Sequence, residues 1–208
     1  MYTLYSLAGS CSTGITILLE KLNVPYQVVQ RGSVENYKEL VPTGQVPALK
    51  DGELLITEGA AIALYLLEKH DEGFQALSLE DKAQFYRALM FNYATLHPAY
   101  SKVIGVTRML ERDPEHLAQR FADKISELWH ILDQRLAGSR YVFGNSPTIV
   151  DYLLFIYSAW AGRFFPELTI KMGKNVQRLV HEVAKLPEVI AAFEKEDIIL
   201  PMASSVED

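Results

Sequence analysis

The first third of the chain contains both hydrophobic periodicities, that of strands and that of helices. Residues 2–6 and 26–30 are short runs rich in β-forming side chains, which predict two strands. Between them, four apolar residues recur at the spacing of one helical face: Ile15, Leu18, Leu19 and Leu22. Because parallel strands need a crossover connection, this succession predicts a βαβ unit.

Two more strand-like runs follow, over residues 48–50 and 54–56. They flank Asp51-Gly52-Glu53, a turn sequence that predicts a β-hairpin. The segment 33–40 before them predicts a weak helix or an irregular turn, and residues 58–69 predict a helix that closes this half. The predicted order of elements is therefore β-α-β-α-β-β-α.

The remainder of the chain has the hydrophobic pattern of helices only. Four segments carry apolar stripes at spacings of three and four residues: 85–96, 117–136, 149–160 and 176–183. Residues 70–79 hold few apolar side chains and predict a connecting segment. We therefore expect an α/β domain over 1–72, a linker over 73–79 and an all-helical domain over 80–208.

Composition and charge narrow the classes of function. The 208 residues are 49% hydrophobic and 22% charged, as in ordinary globular proteins. The formal net charge of −6 argues against nucleic-acid binding, which needs a cationic surface. The single cysteine, Cys11, cannot form an intramolecular disulfide, and no apolar run approaches the roughly 20 residues that span a bilayer. We expect a cytoplasmic protein without a membrane, metal or nucleic-acid partner.

Gly9-Ser10-Cys11-Ser12 lies between the first predicted strand and the first predicted helix. The start of a helix offers unpaired backbone N–H groups and a partial positive charge, which lower the pKa of a thiol held there. The motif therefore predicts a reactive thiolate at Cys11, with the serine hydroxyls capping the helix or donating to sulfur. The alternative is a small, buried cysteine beside two ordinary capping serines.

Gly44-Gln45-Val46-Pro47 forms a turn before the third predicted strand. A cis peptide bond before Pro47 would turn backbone groups outward, where they can pair with an extended peptide. The alternative is a trans proline that only begins the strand.

Thr57-Glu58-Gly59 precedes the helix that closes the first half. A carboxylate at Glu58 can bind an ammonium group while the helix N-terminus binds a carboxylate, which suits a zwitterionic amino-acid head group. The alternative is that Thr57 caps the helix and Glu58 only complements its dipole.

A thiol site, a peptide-pairing turn and an amino-acid clamp follow one another in this order, and glutathione presents the matching groups. The three motifs resemble those of the cytosolic glutathione transferases, most of all the bacterial beta class. Thr148-Ile149-Val150-Asp151 is similar to the buried capping box of the same family, with Thr148 as the cap and Asp151 at the third helical position.

The resemblance implies a thioredoxin-like first domain and an all-α second domain. It assigns glutathione binding to six residues: Ser10, Gln45, Val46, Pro47, Glu58 and Gly59. In this assignment the backbone of Val46 pairs with the cysteinyl unit, Pro47 is cis, and Glu58 with Gly59 holds the γ-glutamyl end.

The resemblance also implies the catalytic residues Cys11, Ser12 and His97. His97 matches a histidine that reaches the sulfur from the helical domain, although a histidine before Pro98 also marks a helix kink. The tyrosine that is usual in the beta class has no equivalent, since Ser6 takes its position and Tyr5 falls one residue earlier, on the other face of the strand.

The second substrate is expected to be a small hydrophobic electrophile or a disulfide. Its candidate contacts are Tyr93, His97, Tyr100, Arg108, Trp160 and Phe164, of which Trp160 favours a role in the core. The family resemblance further implies a homodimer, to which Asn92 is a candidate contributor.

The resemblance leaves several activities open. The first is conjugation of glutathione, as a thiolate, to an electrophile. The second is thiol–disulfide reduction through a mixed disulfide at Cys11, resolved by a second glutathione. A non-catalytic interaction module and a glutathione-dependent isomerase are the remaining alternatives, and the chain's retained thiol and clamp motifs argue against the module.

Overall fold

The computed structural model describes residues 1–109 and 114–200, with side chains over 1–106 and 117–200. Packing divides the described residues into two compact units. The first comprises residues 1–86 together with 184–200, and the second comprises residues 87–183. None of the described helices has the length and the hydrophobicity that a membrane crossing requires.

The first unit is built on a four-stranded sheet in the order β2-β1-β3-β4. The strands are β1 (Tyr2–Ser6), β2 (Tyr26–Gln30), β3 (Ala48–Asp51) and β4 (Leu54–Thr57). β1 pairs with β2 in parallel and with β3 in antiparallel, and β3 and β4 form the antiparallel hairpin. The predicted βαβ unit and hairpin are confirmed.

Ten helices accompany the sheet within the described residues. They are α1 (Cys11–Lys21), α2 (Tyr37–Leu40), α3 (Gly59–His70), α4 (Glu72–Gln75), α5 (Leu79–Met90), α6 (His97–Met109), α7 (Pro114–Arg135), α8 (Ile149–Phe164), α9 (Lys174–Val183) and α10 (Pro187–Lys195). A short 3₁₀ turn covers Arg31–Ser33, and a π-helical segment covers Phe91–Leu96 between α5 and α6. The α/β first half and the helical remainder confirm the predicted fold class.

The packing units differ from the sequence-based domains in where they begin and end. The segment predicted as a linker contains α4, because Asp71 accepts a hydrogen bond from the Phe74 backbone N–H and caps one helical turn. The first unit also includes α10, which the sequence analysis assigned to the second domain. The domain bounds of 1–72 and 80–208 stay a prediction, and residues 201–208 lie outside the described part of the chain.

Helix α10 packs along α1 within the first unit. Its buried side chains Val189, Ala192 and Phe193 follow a helical spacing after a proline at the helix start, a pattern that predicts a helix. An ion pair at 3.4 Å joins Lys21 of α1 to Glu188 of α10. This packing brings the end of α10 close to the loop that precedes α1.

The second unit contains α8, in which ten of the sixteen residues are buried. Its start has the predicted capping box: Thr148 accepts from the Val150 N–H, and Asp151 accepts from the Thr148 N–H at 2.9 Å. Asp151 also accepts from the Val142 N–H at 2.9 Å. Burial raises the pKa of this carboxyl to about 6, although its hydrogen bonds act in the opposite direction.

Candidate functional site

The loop between β1 and α1 places Ser10 at the start of the helix. Ser10 is the N-cap residue of α1, and its side chain accepts a hydrogen bond from the Ser12 N–H at 3.2 Å. Gly9 adopts φ 76°, a left-handed conformation that glycine tolerates best. The half-buried Ser10 side chain therefore lies at the N-terminus of α1.

The Cys11 thiol lies beside the turn that contains Pro47. Its Sγ atom is 3.9 Å from the Val46 carbonyl oxygen, so the structure brings the first two motifs together. The expected low pKa is wrong: burial raises the pKa of Cys11 to about 11. The backbone N–H groups at the helix start and the Ser10 hydroxyl favour the thiolate, but removal of the thiol from water outweighs them.

The Ser12 hydroxyl turns inward, which differs from its predicted place beside a ligand sulfur. The side chain is fully buried, with Oγ 2.7 Å from both Ser6 Oγ and Ser10 Oγ. It also accepts a hydrogen bond from the Leu7 N–H at 3.0 Å. These bonds occupy Ser12 inside the first unit, so its geometry is that of a residue that supports the loop.

The Val46–Pro47 peptide bond is cis, as the resemblance implied. The turn is tied to α2 because the Tyr37 hydroxyl donates to the Gln45 carbonyl oxygen at 2.9 Å. Gln45 is exposed and Val46 is half-buried. The Tyr5 ring packs against Tyr37, with 5.8 Å between the ring centroids.

Two cationic side chains that the sequence analysis did not select lie over this turn. A Cβ atom at Gly44 would be 3.2 Å from Lys38 Cε and 3.7 Å from an Arg31 guanidinium nitrogen. Both side chains are exposed. They place positive charge next to the peptide-pairing turn, where an anionic end of a ligand would be stabilised. In the sequence, the only indication that these two residues lie near the turn was that both shortly precede the Gly44 motif.

Glu58 occupies an unusual backbone conformation at the start of α3. Its φ is 66° and its ψ is 111°, a sparsely populated region that non-glycine residues rarely adopt outside functional sites. The side chain is exposed and makes no capping hydrogen bond. Thr57 ends β4, so the alternative in which Thr57 caps the helix is wrong.

Strand pairing places the third motif beside the second. Ala48, the residue after Pro47, pairs with Thr57, the residue before Glu58. The charge of Glu58 also contributes to raising the pKa of the Cys11 thiol. The first unit therefore gathers a thiol, the cis-proline turn, an exposed carboxylate and an uncapped helix N-terminus.

His97 lies in the second unit, directly after the π-helical segment. Its ring contacts Tyr157 and Trp160, with centroid distances of 5.7 and 5.4 Å, and burial lowers its pKa. π-Helical turns are frequent at functional sites. The π-helical segment also lies directly before His97 and Pro98, where the sequence predicted a helix kink. The role of His97 at the sulfur stays a prediction.

The other candidates of the second unit divide into buried and exposed residues. Tyr100 is fully buried and accepts a hydrogen bond from the Trp129 indole at 2.9 Å, and Trp160 is also buried. Phe164 is exposed, whereas Arg108 lies outside the described side chains. Asn92 is fully buried and donates to the Val150 carbonyl oxygen at 2.9 Å, which is a contact within the unit.

Comparisons with known proteins show what this chain is similar to. The model of the glutathione S-transferase N-terminal domain matches residues 1–68. A glutathione S-transferase of Silene vulgaris is 30% identical over an alignment of 161 residues that covers 72% of this chain and 69% of that protein. The uncharacterized GST-like protein YncG of Escherichia coli is 26% identical over 207 residues, covering 96% of this chain and 100% of that protein.

Two solved sphingomonad structures have the same fold. One is a bacterial beta class glutathione S-transferase of Sphingomonas chungbukensis, and the other is a sphingomonad glutathione S-transferase complexed with glutathione. Each has a TM-score of 0.79 and 22% identity, and covers 95% of this chain and 100% of its own. The sequence motifs, the fold and the Silene relative lead to one conclusion: this chain belongs to the glutathione S-transferase family.

Proposed function

We propose that the protein binds glutathione in its first unit and transfers it to small electrophiles. The observation that carries this proposal is the convergence of three separate motifs on one surface. The Cys11 thiol lies 3.9 Å from the Val46 carbonyl oxygen, and the residues next to Pro47 and Glu58 pair across β3 and β4. A sphingomonad relative of the same fold has been solved with glutathione bound, which supports the same ligand here.

Each part of glutathione has a chemically matching group in this proposal. The backbone of Val46 pairs with the cysteinyl unit. The Glu58 carboxylate binds the γ-glutamyl ammonium group, and the N–H groups at the start of α3, with Gly59 first, bind the γ-glutamyl carboxylate. Arg31 and Lys38 stabilise the glycyl carboxylate at the opposite end.

The start of α1 is the proposed place of the reacting sulfur. Backbone N–H groups and the positive end of the helix dipole favour a thiolate there. Ser10 is the accessible hydroxyl at this point, whereas Ser12 is buried and supports the loop. The proposal also keeps His97 as a catalytic residue. It further includes a homodimeric assembly, a cytoplasmic location and a small hydrophobic electrophile as the second substrate.

Reduction of disulfides through Cys11 is the second candidate, because the thiol lies next to the proposed ligand site. Its raised pKa weighs against this candidate, since the thiolate is the nucleophile. Cys11→Ala is expected to retain conjugation within about threefold, which is less than 1 kcal/mol. Abolished conjugation and reduction in this variant, with unchanged glutathione binding, would instead make Cys11 the catalytic thiol.

Calorimetric titration with reduced glutathione tests the binding site. Glu58→Ala is expected to weaken binding at least tenfold, about 1.4 kcal/mol, because the ammonium group loses its carboxylate partner. Glu53→Ala in the neighbouring hairpin turn is the matched control and should leave the affinity unchanged. Absence of binding to the folded wild-type protein would contradict the proposed function and favour a non-catalytic interaction module.

A further inference from the structure

A buried carboxylate at the end of α10 contacts the start of α1 inside the first unit. Glu196 is the residue after α10, and its side chain is 6% exposed. Thr13 Oγ1 lies 2.7 Å from its Oε2 atom, and Ser6 Oγ lies 3.2 Å from its Oε1 atom. Thr16 donates a further hydrogen bond to Oε1. A buried carboxylate needs such donors, so these contacts join the end of α10 to β1 and α1.

The loop between β1 and α1 is held by side chains that accept hydrogen bonds from its backbone. Three consecutive N–H groups of the loop donate in this way: Leu7 to Ser12 at 3.0 Å, Ala8 to Gln30 at 3.2 Å and Gly9 to Thr13 at 2.9 Å. Gly9 is buried, and its φ of 76° is left-handed. Because Ser10 follows directly, the position of Gly9 determines where the Ser10 side chain lies.

The hydrogen bonds of the Thr13 hydroxyl have a fixed direction. The backbone nitrogen of Gly9 only donates, and a carboxylate oxygen only accepts. Thr13 therefore accepts from Gly9 and gives its single proton to Glu196. The distance of 2.7 Å between Thr13 Oγ1 and Glu196 Oε2 agrees with this direction, because two oxygens at hydrogen-bond separation need a proton between them.

We propose that Glu196 is a positioning residue of the proposed glutathione site, which acts through Thr13 on Gly9 and so fixes the position of Ser10 beside the ligand sulfur. The proposal rests on the proposed function. The carboxylate takes the Thr13 proton and leaves an oxygen lone pair for the Gly9 N–H. Without this acceptor, Thr13 can turn its proton to a backbone carbonyl one turn earlier, as threonine does in helices. The loop then loses the contact that holds Gly9 in one place.

The test compares two ligands by calorimetric titration. Reduced glutathione carries the thiol, and ophthalmic acid is the same tripeptide with a methyl group in place of the thiol. The ratio of their dissociation constants measures the contact with sulfur, because both ligands share the proposed contacts with Glu58 and Val46. We expect the wild type to bind glutathione about tenfold more tightly than ophthalmic acid. A variant that only weakens the fold changes both affinities equally and leaves the ratio unchanged.

Thr13→Val and Thr16→Val form a matched pair of variants. Both threonines are fully buried in α1 and donate to Glu196, and valine has the same shape without the hydroxyl. Thr13→Val should reduce the ratio to less than about threefold, because the Gly9 N–H loses its acceptor. Thr16→Val should retain the wild-type ratio, as should Thr13→Ser, which keeps the hydroxyl. Equal ratios in the two valine variants would overturn the proposal.

Glu196→Leu tests the carboxylate itself and should reduce the ratio as far as Thr13→Val does. Glu196→Gln should retain the ratio, because its amide oxygen can accept from Thr13 while its N–H groups face Ser6 and Thr16. In the Thr13→Val background, Glu196→Leu should change the ratio by less than about twofold, since the contact is already lost. An unchanged ratio in Glu196→Leu, or a further fall in the double variant, would overturn the proposal. Equal losses in Glu196→Leu and Glu196→Gln would also overturn it, because they would show an effect of charge.

Glu196→Asp replaces Glu196→Leu if circular dichroism shows that the leucine variant does not fold. Its carboxylate is one carbon shorter and is withdrawn from Thr13, so the ratio should fall in the same direction, and a retained ratio overturns the proposal. Normal glutathione binding by the wild type with a ratio near one overturns this inference alone. Absence of glutathione binding in the wild type overturns the proposed function together with it.

Discussion

The starts of α8 and α3 are both rich in polar groups, yet they are built in opposite ways. At α8, Thr148 and Asp151 satisfy each other and the Val142 N–H, and both carboxylate oxygens are used. At α3, Glu58 has a left-handed φ, makes no capping bond and is exposed. A helix start whose polar groups hydrogen-bond to one another contributes to stability. A helix start with a strained backbone and no capping hydrogen bond is instead available to a ligand.

Asp151→Ala tests the structural half of this comparison and has the largest expected effect. It leaves the N–H groups of the half-buried residues Val142 and Thr148 without their carboxylate acceptor. The free energy of unfolding should fall by about 3 kcal/mol, as measured by urea denaturation. Asp123→Ala, at an exposed position of α7, is the control and should change it by less than about 0.5 kcal/mol. Equal effects in the two variants would show that the capping box is not a special contributor.

Asp151 also makes a pH-dependent contribution to stability. Its folded-state pKa of about 6 is above the unfolded value, so the folded state binds more protons between about pH 4 and pH 6. The stability contributed by this group is therefore present below that window and is lost as the pH rises through it. Relative to Asp151→Asn, the wild type should lose on the order of 2 kcal/mol from pH 4 to pH 6. Thermal unfolding of both proteins across this range measures the difference, and parallel curves would contradict a raised pKa.

Glu58→Gly sharpens the functional half of the comparison and has the smallest expected effect. Glycine tolerates a positive φ, so the substitution should raise the free energy of unfolding by about 0.5 kcal/mol while it abolishes the proposed contact with the ammonium group of glutathione. Stability from urea denaturation and glutathione affinity should thus move in opposite directions. A loss of both would show that Glu58 stabilises the fold like the residues at α8.

Local patterns in the sequence were sufficient for most of the fold. The alternation of β-forming and helical runs located the βαβ unit, the hairpin at Gly52 and the long helices, because these elements depend on nearby residues. The capping box at Thr148 was also recognisable, since its partners are three residues apart. Helix α10 was missed although Pro187 and its apolar spacing were visible.

The chemistry of the site was less predictable, because it depends on tertiary burial. The position of Cys11 at a helix start favoured a low pKa, but the surrounding core removes the thiol from water and raises it. The inward direction of Ser12 follows from its bonds to neighbouring hydroxyls. The contact of Ser6 with Glu196 spans 190 positions, a separation at which spacing carries no information.

The late position of Glu196 also bears on how the chain folds during synthesis. The sheet, α1 and the proposed glutathione site are complete in sequence before residue 87, yet the buried hydroxyls of Ser6, Thr13 and Thr16 gain their carboxylate acceptor only when Glu196 has been made. A nascent chain that lacks α10 therefore leaves these donors without that partner and α1 uncovered. The first unit therefore begins to be synthesised first but can complete its packing only after the second unit has been synthesised. The loop that holds Ser10 gains its contacts with Glu196 at that stage.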